Sequence, residues 1–121
     1  LRDKIYEVLQ DFLNYDGLRM RKIYYGVCTE KLKDWNYFVF NRLRTGRREN
    51  ASYNEYYDVN IVCEDFVPDG MEMDIIKAIR EATMMRLADN DIEYNYVRKP
   101  NTEVAVEICT IHFVKARKGT L

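Results

Sequence analysis

The sequence predicts an α+β fold: a mostly antiparallel sheet of four to five strands with two helices packed on one face, in the order α-β-β-β-α-β-β. Three observations carry this. Two segments repeat apolar residues with helical spacing. One long segment alternates apolar and polar residues with period two, the signature of an antiparallel strand with one wet face. The elements never settle into a repeating βαβ pattern, and no glycine-rich phosphate loop is present.

In chain order, Ile5, Val8, Leu9, Phe12 and Leu13 form one stripe and predict a helix over 2–15, stopped at Asp16-Gly17. A strand is expected over about 19–25, with Leu18, Met20 and Ile23 facing inward, followed by a loop over 26–34. "WNYFVFNRLR", 35–44, reads as a strand with aromatic residues on both faces, and "TGRREN" as its turn. In the next strand Tyr53, Tyr57, Val59, Ile61 and Cys63 share one parity, with Glu55 as an exception near the turn. Asn54, Asp58, Asn60 and Glu64 share the other. A second helix is expected from "VPDGMEMD", with Asp69 as cap and Glu72 completing a capping box. Its stripe is Ile75, Ile76, Ile79, Ala82, Thr83 and Leu87, and Asp89-Asn90-Asp91 ends it. "IEYNYV", a turn at Pro100-Asn101 and a long strand over 103–117 complete the chain.

Size and charge narrow the function. The 121 residues suit one domain, 1–121, with an ordinary hydrophobic core. Nineteen basic residues face twenty acidic ones, without the positive excess usual in a dedicated nucleic-acid binder. Cys28, Cys63 and Cys109 form no C-x-x-C pair and read as reduced, mostly buried thiols of a cytosolic protein. No apolar run is long enough to span a bilayer. The first residue is Leu1, so an upstream segment is expected to be missing.

Little in the sequence points to bond chemistry. His112 is the only histidine, and Ser52 the only serine. As a general base His112 would need an orienting carboxylate and a cleft, and its neighbours Ile111 and Phe113 supply neither. Asp58 and Glu64 share a strand face but lie about 20 Å apart, too far for one metal ion. No enzyme role, cofactor or metal site is expected.

Two features point outward instead. Arg42, Arg44, Arg47 and Arg48 crowd one turn. Arg42 and Arg44 are expected on the same side of their strand. The free loop is expected to be mobile and extended: it is either a solvated turn or one ordered by anions, the phosphates of nucleic acid or the carboxylates of a partner protein. The last strand is apolar on both parities: Val104, Val106, Ile108 and Val114 on one, Ala105, Cys109, Ile111 and Phe113 on the other. Helices can cover only one face. Either a loop of the same chain or a neighbouring subunit must cover the second.

"DWNYFVFNR", the Arg/Gly turn, "YYDVNIVCEDFVP" and "DNDIEYNYVRKPNTEVAVEICTIHFVKAR" together resemble a family of small phage and prophage proteins. These belong to the head-to-tail and tail-completion group, and the element order is similar to that of tail terminators. The resemblance spans about residues 3–117. It implies a structural virion protein, assembled in the bacterial host cytoplasm. Such a subunit closes the tail tube as a ring, commonly a hexamer, and meets the tail tube protein and the head connector or other neck proteins. DNA passes through the ring without specific binding. On this expectation Arg42, Arg44, Arg47 and Arg48 form a projecting contact loop, while Ile111 and Phe113 pack between subunits. The resemblance also allows the isolated chain to stay monomeric until it is recruited. The rival expectation is a small nucleic-acid-binding α+β domain that uses the 42–48 turn on phosphates.

Overall fold

A computed structural model describes residues 1–49 and 51–121; Asn50, the last residue of the expected turn, lies outside the described residues. The order is α1 (Arg2–Gln10), β1 (Asn14–Tyr15), β2 (Leu18–Arg19), β3 (Ile23–Tyr25), β4 (Tyr37–Arg47), β5 (Ser52–Glu64), α2 (Met71–Thr83), β6 (Arg86–Leu87), β7 (Glu93–Arg98) and β8 (Ala105–Lys118). The α+β reading holds, but the main sheet has six strands where four to five were expected, because two separate segments share one edge of its last strand. The main sheet runs β3-β4-β5-β8, and β6 and β7 share the far edge of β8. Every pairing is antiparallel except β3 with β4, which is parallel.

The first helix stops at Gln10, short of the expected Tyr15. Asp16 and Gly17, read from sequence as a helix stop, instead turn the β1–β2 hairpin, with φ of 49° and 84°. Two left-handed residues in sequence are what a two-residue hairpin turn requires. Phe12 and Leu13 still pack on the core from outside the helix. Helical spacing therefore outran the helix itself. The expected 19–25 strand is split between β2 and β3, and Met20 between them is buried.

In α2 the N-cap is Gly70, at φ 88°, and no side chain caps the helix, so the expected Asp69 cap is absent. The helix ends earlier than its stripe suggested. Met84 takes a left-handed conformation at φ 60°, and Thr83 Oγ1 donates to the Ile79 carbonyl at 2.6 Å. That leaves Leu87 in β6 and Ala82 exposed.

Both helices cover the same face of the sheet. Register sets that face: Phe38 lies opposite Ile61, Phe40 opposite Val59, Val59 opposite Ile111, and Tyr57 opposite Phe113. With Ile5, Leu9, Ile75 and Ile79 these residues form one buried cluster. Each large apolar side chain so enclosed contributes roughly 1.5–3 kcal/mol.

Ile111 and Phe113 are therefore core residues, each 0% exposed, and not the subunit-packing surface expected from sequence. Their parity is the one under the helices. The opposite parity is also largely covered within the chain. Val62, Val106 and Val114 are all buried. Over the Val62 end lies the 26–36 loop, tied down where Asn36 Oδ1 accepts from the Glu64 amide at 3.0 Å. The Lys99 ammonium clamps the same end, donating to Glu64 and to the Lys33 carbonyl.

Candidate functional site

The arginine cluster is built differently from its expected form. β4 continues through Thr45 and Gly46 to Arg47, so only residues beyond Arg47 turn. A bulge at Leu43 shifts the register: Arg42 pairs with Tyr57, and Arg44 with Tyr56. One extra residue reverses side-chain parity. Arg42 and Arg44 consequently lie on opposite faces, contrary to the expectation that they share one. Arg44 stacks on the Tyr56 ring, its guanidinium carbon 3.9 Å from the ring centroid, on the face away from the helices. Arg42 and Arg47 occupy the helix-side parity, and Arg48 lies in the turn, where its amide donates to the Ser52 carbonyl at 3.1 Å.

The hairpin is also braced, not free. β8 pairs with β5 out to its first residue, Ser52 with Lys118 and Tyr53 with Arg117, and the Gly119 amide donates to the Ala51 carbonyl. This pairing sets Arg117 and Lys118 level with Arg47 and Arg48, with β5 between them. Arg117 is occupied by Glu55, Nε to Oε1 at 2.8 Å. Among the described residues none of the four hairpin arginines forms an ion pair, and all four are exposed.

The outer face carries a polar ladder that sequence reasoning missed. Thr110 Oγ1 donates to Asn60 Oδ1 at 2.7 Å. One step along, His112 Nδ1 meets Asp58 Oδ1 at 2.5 Å, and Nε2 faces Glu93 Oε1 at 3.4 Å. His112 thus has the orienting carboxylate that its sequence neighbours lacked, supplied from 54 residues away. Burial works against the charged ring. The hydrogen bonds and charges of Asp58 and then Glu93 outweigh it and hold the His112 pKa above its ordinary value. The two carboxylates sit on opposite ring nitrogens, so they do not converge on a shared point. Among the described residues no three His, Cys, Asp or Glu side chains gather as a metal site. Beside this ladder is a groove of about 200 Å³, lined by Leu43, Arg44, Tyr56, Asp58, Asp89 and His112 among others.

A second groove lies at the other end of the sheet, where β5 hands over to α2. Phe66, Val67, Asp69, Glu72, Tyr94, Tyr96 and Glu107 line about 340 Å³. Its aromatic walls face solvent: Phe66 is 65% exposed, Tyr96 63% and Tyr94 43%. Glu107 is structural here, Oε1 accepting from the Val67 amide at 2.8 Å and Oε2 from the Tyr96 hydroxyl at 2.7 Å. The Asp69 and Glu72 carboxylates have no hydrogen-bond or ion-pair partner among the described residues. Burial, chiefly, pushes the Tyr94 hydroxyl up to about 12, so this wall stays uncharged. The sequence held one signal for this groove: Tyr94 and Tyr96 sit two apart in a short strand and so share a face. Asp69 and Glu72 were hidden by their reading as a cap.

Of the three cysteines, Cys63 and Cys109 are buried and Cys28 is half-buried. Burial raises the first two thiols to about 12, which keeps them protonated and unreactive. Among the described residues no helix is long and apolar enough to cross a membrane. A scan against models of known protein families finds no match, and a search of curated proteins finds no relative.

Proposed function

We propose that this chain is a non-enzymatic assembly subunit of a phage tail or neck, which closes the tail tube as a ring and presents the surface that joins the head connector. The observation that carries this is a pair of unlike, solvent-facing patches on one small chain. The arginine end of the β4–β5 hairpin is one, and the aromatic, acidic groove at the start of α2 is the other. A ring built from head-to-tail contacts needs two different complementary patches per subunit, whereas a two-fold dimer needs one self-complementary patch. Arginine, tyrosine and phenylalanine are also the residue types enriched at interface centres. The formal net charge of −1 suits a ring that lets DNA pass without gripping it.

Electron microscopy of the purified chain at high concentration tests this. Closed rings, incorporated into tails when mixed with tube and neck components, are the expected result. Loss of tail joining in Arg47→Glu with Arg48→Glu, at unchanged fold, is expected with it. Tails completed normally by that double variant would reduce the hairpin to a solvated turn.

A second reading draws on one observation. The register adds Lys118 to the hairpin arginines, Arg117 being paired with Glu55, which makes that end more basic than the 42–48 run alone. On this reading the end grips nucleic-acid phosphates. A mobility shift that weakens steeply with salt would favour it, and no shift at low salt would remove it.

A further inference from the structure

We propose that the aromatic groove at the start of α2 is the receptor for the hairpin tip of a second copy of this chain, with Arg47 and Arg48 of one copy entering between Phe66, Tyr94 and Tyr96 of the next. This deepens the assembly reading above and rests on it. The argument begins with what each patch lacks. Arg47 and Arg48 are exposed guanidinium groups with no ion-pair partner among the described residues. Asp69 and Glu72 are carboxylates in the same condition, at the rim of a groove whose walls are exposed aromatic rings. Guanidinium is the cation best suited to that combination. Its plane stacks on aromatic faces while its fork donates to carboxylates. The molecule already makes the first half of this contact where Arg44 lies over Tyr56 and Arg2 over Tyr25.

Distance makes the contact intermolecular. The tip lies at the Ser52 end of β5 and the groove just beyond its Glu64 end. Thirteen residues of strand separate them, about 40 Å at the usual rise per residue. A braced hairpin cannot fold back over that length. The patches of one copy are therefore left for two different neighbours, a head-to-tail arrangement that closes into a ring when the rotation per subunit allows it. Two other occupants are weaker fits. A nucleic-acid strand is repelled by Asp69 and Glu72, and an aliphatic peptide leaves both carboxylates without counter-charge.

The test is charge exchange in the full-length chain, read by sedimentation velocity over a concentration series at low and high salt. Wild-type chain is expected to self-associate, and less so at high salt. Arg47→Glu with Arg48→Glu, and separately Asp69→Lys with Glu72→Lys, should each weaken association by about tenfold or more. Combining all four substitutions in one chain should recover most of that loss, a result no general damage produces. Acidic residues favour the first turn of a helix, so the groove variant is accompanied by Phe66→Ser, which leaves α2 untouched. It should weaken association while keeping the wild-type melting temperature. A chain that stays monomeric at every concentration, or a four-fold variant no better than its parents, overturns the contact. Closed rings that persist in the groove variants would sink this contact and leave the assembly reading standing. Association lost and then restored by exchange, with neither rings nor tail joining, would keep the contact and sink the phage role.

Discussion

The two faces of the main sheet are made from the same three long strands yet hold together by different physics. On the helix side β4, β5 and β8 contribute Phe38, Phe40, Val59, Ile61, Ile111 and Phe113, all buried, and the stabilisation there is loss of apolar surface from water. On the outer side the same strands place Asn60 against Thr110 and Asp58 against His112, in register across β5 and β8. Between the buried Val62, Val106 and Val114, the middle of that face exchanges water for directed hydrogen bonds, whose net gain per bond is smaller. The helix side therefore carries most of the stability. The outer side carries the pairs that respond to protons and single substitutions.

The comparison can be broken most forcefully at Phe113. Phe113→Ala empties a fully enclosed site and should cost about 3–5 kcal/mol in denaturant unfolding. A loss under about 1 kcal/mol would mean that the helices do not seal this face, and would return Phe113 to the surface role first expected of it.

Thr110→Val tests the outer ladder. It keeps the side-chain shape but removes the donor to Asn60, and should cost about 1–2 kcal/mol, with part of that loss coming from the half-buried Asn60 oxygen left unpaired. An effect as large as that of Phe113→Ala would erase the distinction between the two faces.

The smallest expected effect is a pH dependence centred on His112. The folded chain holds the imidazolium more tightly than the unfolded chain does, because Asp58 and Glu93 face its two nitrogens. A raised folded pKa means that the contribution is complete below the ordinary value of 6.5 and is lost as pH rises through the higher folded value. The melting-temperature difference between wild type and His112→Gln should therefore shrink from mildly acidic to mildly alkaline pH. A ring found by NMR to titrate below 6.5 would reverse the sign and contradict the pairing.

Legibility in the sequence followed how far apart the cooperating residues lie. Period-two alternation exposed β5 at once, because each side chain's face depends only on its nearest neighbours in the chain. The two helix stripes were found for the same reason, although Phe12, Leu13 and Leu87 extended them past the true ends. Such residues meet the core from loops and short strands, and spacing alone cannot tell that from a longer helix. Asp16-Gly17 carried a hairpin signal that was outweighed by the apolar stripe before it.

The candidate surfaces were harder to read. The arginines are visible as a cluster in any reading of 42–48. Their division between two faces depends on the bulge at Leu43, which exists only because β4 must keep register with β5. The groove at α2 brings β7, β8 and the residues after β5 together, and no window of sequence contains all three.

By itself, then, the sequence determined the two helices and the long strands, though not their ends or the short strands β1 and β6, that one face of β5 is wet, and that the arginines are concentrated near one turn. These follow from forces acting within a few residues of chain. Only the tertiary structure decided that Ile111 and Phe113 are interior, that His112 sits between Asp58 and Glu93, and that Phe66, Tyr94 and Tyr96 share a groove with unpaired carboxylates. Each of those depends on strand register and layer packing, where residues more than ten positions apart, and in one case 54, are brought into contact.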